Sequence, residues 1–224
     1  KKMCGRFTQM MSWSEVVRLA ELATPPDLPL FPNFNVAPSQ SVPIVRNGPA
    51  GREAAIVRWG LVPFWADDPS IGTKLINARS ETVAEKPSFR QAFKKRRCLI
   101  PANGFFEWQK PVNKGDKKQP FYVRLKQDGP LMFAGLWERW DKGEEPMESC
   151  TIITCEANEL VAQFHTRMPV IVLPEHYGRW LDCDDAAELQ SLLVPLPATQ
   201  MAAYPVSPRM NSPGFNQPSC IEPL

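Results

Sequence analysis

Apolar positions in this chain recur with two different periods, and the switch between them maps its elements. Over residues 12–23, Trp13, Val16, Val17 and Ala20 return at helical spacing behind a capping box of Ser12 and Glu15; this predicts a helix that Thr24 ends before Pro25 and Pro26. Residues 25–38 are proline-rich, and because each proline fixes φ and restricts its predecessor, an extended loop is expected there. Short apolar runs predict strands at 42–46 and 54–59. Trp59-Gly60-Leu61-Val62-Pro63-Phe64-Trp65 then leaves the sheet as an aromatic turn, with a return strand over 74–78. Residues 88–95 read as a second helix, with Ser88 and Gln91 as its capping box and Phe89, Ala92 and Phe93 on one face.

β-type runs follow at 98–101, 104–109, 120–125, 131–137 and 151–155, separated by clusters of Gly, Pro, Asn and Lys. That spacing predicts a twisted, mostly antiparallel sheet. A brief helix over 159–164, a strand over 169–173, surface helices over 174–181 and 184–193 and a strand near Tyr204 complete the pattern, with residues 207–224 as irregular coil folded back on the domain. The expectation is an α+β fold in a single domain over residues 3–224, with Lys1 and Lys2 as appended residues.

Composition narrows the function classes. At 224 residues and 43% hydrophobic content the chain can bury a full core, and it holds no run of about 18 apolar residues that would span a membrane as a helix. The lysine-rich start is not followed by the apolar core of a signal peptide, so a cytoplasmic protein without membrane contact is expected. Six cysteines, at 4, 98, 150, 155, 183 and 220, form no Cys-x-x-Cys, and two histidines leave no zinc-ligand spacing; reduced thiols, no metal and no cofactor are expected. A net charge of +2 is too small for general polyanion affinity, so any nucleic-acid site must be local. The consecutive Lys94, Lys95, Arg96 and Arg97 read as the last turn of the second helix, a solvated end where cations favour the helix dipole.

Cys4 is the most reactive candidate. It follows Met3, and removal of that methionine would leave a first-position cysteine whose amine and thiol, on adjacent carbons, condense with an aldehyde to an imine and then to a five-membered ring. Glu107, within Asn103-Gly104-Phe105-Phe106-Glu107-Trp108, sits among large aromatics that suit a carboxyl for proton transfer, and His165 directly precedes Thr166 and Arg167. Asn77 pairs an amide able to orient a sugar oxygen with an arginine, Arg79, able to hold a phosphate. Arg6, Arg58, Arg79 and Arg167 interleave with Trp59, Phe64, Trp65 and Trp108, the ingredients of single-strand binding. His176 carries no role.

These segments together resemble the SOS response-associated peptidase (SRAP) domain family, whose members crosslink to abasic sites in single-stranded DNA. The resemblance rests on Met3-Cys4-Gly5-Arg6-Phe7, Asn35-Val36-Ala37-Pro38, Trp59-Gly60-Leu61-Val62-Pro63, Asn77-Ala78-Arg79-Ser80-Glu81-Thr82, the run from Ile100 to Trp108, Ala134-Gly135-Leu136-Trp137-Glu138 and His165-Thr166-Arg167-Met168-Pro169. It implies a barrel-like β core with peripheral helices and a positively charged groove. It implies a catalytic set of Cys4, Asn77, Glu107 and His165, with Gly5, Arg6, Pro38, Phe64, Trp65, Arg79, Trp108 and Arg167 contacting DNA. The partner implied is single-stranded DNA containing abasic sites, met by a monomer at damaged replication forks in the nucleoid.

Retention of Lys1-Lys2-Met3 would consume the amine of Cys4 in a peptide bond, and the polypeptide would then bind DNA without a stable crosslink. Two other readings stay open: a thiol peptidase or self-processing protein in which Cys4 attacks a peptide carbonyl with His165 or Glu107 as base, and a non-covalent reader of single-stranded or modified DNA.

Overall fold

The computed structural model of the chain describes residues 5–23, 26–27, 29–111, 113 and 117–224; Cys4 lies outside them. Among the described residues the strands are β1 (Phe7–Gln9), β2 (Asn33–Val36), β3 (Ser41–Gly48), β4 (Gly51–Trp59), β5 (Asn77–Arg79), β6 (Arg97–Ala102) and β7 (Gly104–Gln109), then β8 (Gln119–Leu125), β9 (Leu131–Trp140), β10 (Met147–Glu156), β11 (Arg167–Pro169), β12 (Ile171–Val172) and β13 (Met201–Pro205). The α-helices are α1 (Trp13–Ala20), α2 (Arg90–Lys95), α3 (Tyr177–Asp182) and α4 (Ala186–Ser191).

Strands far exceed helices, and they form two sheets. One runs β13-β8-β7-β1-β2 and is antiparallel throughout. The other runs β11-β10-β4-β3-β6-β9-β12, and β9 also pairs with β10, from Trp140 opposite Met147 to Gly135 opposite Ile152. That extra pairing returns the sheet on itself and makes it ring-like, short of a barrel. Within it β10 takes β4 and β5 as parallel neighbours, while the other pairings are antiparallel. The α+β architecture expected from the spacing of the strands is the one observed.

Rings from both sheets meet in the core. Phe7 stacks edge-on against Trp59 at 5.1 Å and against Phe133 at 5.7 Å, and Phe105 meets Phe133 at 6.2 Å. All four are fully buried, and Trp59 Nε1 donates to the carbonyl of Ile76, so this tryptophan is a core residue and not a stacking platform.

Several boundaries differ from the sequence expectation for local physical reasons. Helix α1 keeps the Ser12/Glu15 capping box but ends at Ala20, because Glu21 turns left-handed at φ 52° and its amide returns to Val17. The proline-rich stretch contains a strand after all: Asn33–Val36 lies between prolines and pairs with β1. The Ser88/Gln91 box does not form, since Phe89 occupies the N-cap of α2 and no side chain caps it. Pro69–Lys74 is a 3₁₀ turn that delays the return strand to Asn77. Helix α3 leaves Arg179 and Asp182 exposed, but its inner face is deeply docked: Tyr177, Trp180 and Leu181 are buried and Trp180 Nε1 donates to Cys98 O.

The basic run is divided. Lys94 and Lys95 are exposed, Arg96 pairs with buried Glu138 at 2.7 Å, and Arg97 is buried. Arg97 donates to the carbonyls of Phe93 and Lys94 at the end of α2 and of Trp180, Leu181 and Cys183 at the end of α3. One guanidinium thereby satisfies the terminal carbonyls of two helices.

No helix of the described residues is long and apolar enough to cross a membrane, and no group of three or more His, Cys, Asp or Glu residues among them is placed to hold a metal.

Candidate active site

The site begins with strand register. In the ladder of β1 and β7, Phe7 stands opposite Phe105 and Thr8 opposite Gly104, and the Phe106 amide donates to the Arg6 carbonyl at 3.0 Å. Gly5 is the second residue before Phe7 on one chain segment, and Glu107 the second after Phe105 on the other. Alternation along β7 turns Phe105 and Glu107 to one face and Phe106 and Trp108 to the other. Gly104 permits the close approach at the head of the strand, because a Cβ there would stand 2.5 Å from the Tyr122 ring.

Glu107 is only 3% exposed, yet it lines a cleft of 370 Å³ with Trp108, Lys110, Lys118, Phe164 and His165 among its walls. Across the sheet Glu107 faces Phe121, whose ring stacks on Phe164 at 4.4 Å, so the expected aromatic surroundings of this carboxyl are present. His165 follows the 3₁₀ turn Val161–Gln163, with its amide bonded to the Val161 carbonyl. Its Nδ1 accepts a 3.1 Å hydrogen bond from the backbone N–H of Arg167. An Nδ1 that accepts carries no proton, so the neutral ring holds its proton on Nε2. A carboxyl and an imidazole in one cleft can pass protons to and from a reacting carbonyl.

A second concavity, of 560 Å³, is lined by Gly5, Arg6, Pro38, Thr73, Trp108 and Lys118 among others. Trp108 and Lys118 belong to both, so the two concavities meet at these residues. The groove therefore gathers Gly5, Arg6, Pro38, Glu107, Trp108 and His165. Arg6 is held at its inner wall, where its guanidinium donates to Asn35 Oδ1 at 2.7 Å and to the carbonyls of Met210 and Asn211; burial draws its pKa below the ordinary value.

The aromatic loop is set by backbone contact. Gly60 adopts φ 127°, and a Cβ there would lie 2.7 Å from the Gly72 carbonyl oxygen, so the two glycine segments pack backbone to backbone. Beyond this pivot Phe64 and Trp65 are 48% and 41% exposed, and with Pro87, Arg90 and Gln91 they line a further concavity of 370 Å³.

Strand β10 is flanked near its end by β5 and β11. Asn77 pairs with Ile152, Arg79 with Thr154 and Arg167 with Glu156. Arg79 is exposed. Arg167 is not: its guanidinium grips Glu81 with two hydrogen bonds of 2.5 and 3.0 Å and donates to the Thr154 carbonyl.

Sequence reasoning passed over Lys110, Lys118, Glu81 and the C-terminal tail. Trp108 Nε1 donates to Asn211 Oδ1, and Asn35 Nδ2 donates to the carbonyls of Met210, Ser212 and Phe215. The signal for Lys118 was its place one residue before β8, whose pairing with β7 carries it beside the cleft.

Comparisons with known proteins agree with one another. Residues 3–213 match the family model described as SOS response associated peptidase (SRAP). The abasic site processing protein YoqW of Bacillus subtilis is 43% identical over 98% of this chain and 99% of its own length. YedK of Escherichia coli, described likewise, is 30% identical over 99% of this chain and all of its own. A crystal structure of a protein from Bacteroides thetaiotaomicron, 30% identical, superposes with a TM-score of 0.84 over 97% of this chain and 99% of that one. The chain belongs to the SOS response associated peptidase family.

Proposed function

We propose that this chain recognises abasic sites in single-stranded DNA and, when Cys4 is its first residue, joins them covalently. The observation that carries this reading is that Gly5, the neighbour of Cys4 in the chain, lines the concavity that meets the Glu107 and His165 cleft at Trp108 and Lys118. Cys4 is bonded to Gly5, and a trans peptide spaces consecutive Cα atoms by about 3.8 Å. Relatives from bacteria and from chicken are named abasic site processing proteins, which supports DNA with abasic sites as the target.

The chemistry needs no cofactor. The Cys4 amine adds to the opened deoxyribose aldehyde, and the carbinolamine loses water to give an imine. The thiol then adds to the imine carbon, its proton passes to nitrogen, and a thiazolidine results with net loss of one water. Glu107 and His165 supply and remove the protons of ring opening, dehydration and closure, while Asn77 orients the sugar. Exposed Arg79, with Arg6 and Arg167, supplies cations for flanking phosphates, and Phe64 and Trp65 stack on bases beside the lesion. An abasic position lacks a base to unstack, which favours its entry.

The test is incubation of a chain starting at Cys4 with single-stranded DNA bearing one abasic site, with intact single-stranded DNA and abasic duplex in parallel. A denaturation-resistant adduct of protein plus DNA minus one water, formed best with the abasic single strand, supports the reading; noncovalent, salt-sensitive binding alone contradicts it. The family description as a peptidase favours one second reading, removal of the residues before Cys4 by the same cleft, which intact mass would reveal.

A further inference from the structure

Glu81 lies outside every role assigned above, yet it makes the most complete ion pair at the site. Both of its carboxylate oxygens take a hydrogen bond from Arg167, at 2.5 and 3.0 Å, and Ser80 Oγ adds a third at 3.1 Å. Burial acts to raise the Glu81 carboxyl, but the hydrogen bonds from Arg167 and the Glu81 backbone outweigh it and hold the group below its ordinary value. The Arg167 side chain is 13% exposed, and its Nη2, which meets Glu81, also donates to the Thr154 carbonyl. The backbone of the same Arg167 donates to His165 Nδ1.

We propose that Glu81 is a positioning residue for His165. It acts through Arg167: the two-point grip fixes the guanidinium against β10, the fixed side chain holds the Arg167 backbone, and the backbone N–H keeps His165 Nδ1 an acceptor. The imidazole in the cleft with Glu107 thereby carries its proton on Nε2. The bidentate geometry matters because one point of contact would leave the guanidinium free to pivot. Glu81 also joins the segment that begins with Asn77 to the segment that contains His165, so one ion pair sets the spacing of two parts of the site. This inference rests on the functional reading above for its kinetic consequence, but not for the tautomer.

The experiment uses uniformly ¹⁵N-labelled protein. With only two histidines in the chain, a His176→Gln variant assigns the spectrum. The wild-type chain is expected to show His165 as the Nε2–H tautomer, and Glu81→Gln to show a mixture of tautomers with an altered pH titration of that ring. In the crosslinking assay Glu81→Gln is expected to lower the rate at saturating DNA roughly tenfold and to shift its pH profile, a part of the roughly 10²–10⁴ that general acid–base catalysis contributes. Glu81→Asp, which retains the charge, should recover part of the rate. A wild-type His165 with its proton on Nδ1 would overturn the proposal. So would a Glu81→Gln protein with unchanged tautomer and rate but tighter, more salt-dependent binding of intact single strands, for Glu81 would then be a counter-ion masking Arg167. If the wild type forms no crosslink, the functional reading fails while the spectrum still decides the role of Glu81.

Discussion

Trp108 Nε1 donates to Asn211 Oδ1 at 2.7 Å, which ties the C-terminal segment to a residue that both concavities of the groove share. The segment is fixed at its root by Asn35, a fully buried amide that donates to three of its carbonyls. Asn35→Ala removes those donors from carbonyls in part-buried or buried positions. It is expected to cost about 2–3 kcal/mol, read as a lower urea midpoint, on the cost of leaving buried polar groups unmade. Asn211→Ala should leave stability within about 1 kcal/mol while loosening Trp108, seen as a change in its fluorescence.

The parts of this architecture that are legible in the sequence are those written in local pattern. The Ser12/Glu15 box, the run over β7 and the short apolar runs of β3 and β4 each depend on neighbours a few residues away. Strand β2 was hidden because its hydrogen bonds come from β1, more than twenty residues earlier, while the prolines around it signal a loop. Strand separation likewise concealed the Glu81–Arg167 pair, and Asn211 reaches Trp108 across a sequence separation of 103. Glu107 and His165 were legible from residue type and context, but their meeting in one cleft is a product of topology.

Arg97 should be among the costliest positions to change. Its guanidinium caps α2 and α3 through five carbonyls, and a lysine ammonium has three donors without the planar fork. Arg97→Ala is expected to lose about 3–5 kcal/mol and Arg97→Lys to recover a minority of it, measured by denaturant unfolding. Hydrogen exchange should quicken first in α3.

Gly60→Ala tests the pivot of the aromatic loop. Positive φ and the Gly72 carbonyl both oppose a Cβ, so the loop carrying Phe64 and Trp65 must shift. Weaker binding to single-stranded DNA is expected, about three- to tenfold by fluorescence anisotropy for the partial loss of one stacking contact. Unchanged affinity would remove that loop from the binding surface.

The Glu81–Arg167 pair predicts a direction with pH. The Glu81 carboxyl is lowered in the folded chain from its ordinary 4.5, so its contribution to stability is fully present above that value and is lost as pH falls through the folded value. The melting-temperature difference between wild type and Glu81→Gln should therefore be largest near neutral pH and shrink in acid. A difference that grows in acid would contradict the pairing.

Thiol labelling gives a clean readout for Cys4. Burial pushes Cys155 up to about 12 and raises Cys98 and Cys150 well above their ordinary range, while Cys220 is buried as well. Cys183 is partly exposed. A Cys183→Ser chain is expected to react with iodoacetamide at Cys4 before any of these four, as peptide mapping would show.

The most direct measurement compares two forms of the chain on a denaturing gel with single-stranded DNA carrying one abasic site: one beginning at Cys4 with a free amine, the other retaining Met3. The account predicts a heat-stable shifted band from the first and none from the second. An equal, heat-stable band from protein confirmed by mass to retain Met3 would contradict it, because the amine would then have no part in the bond.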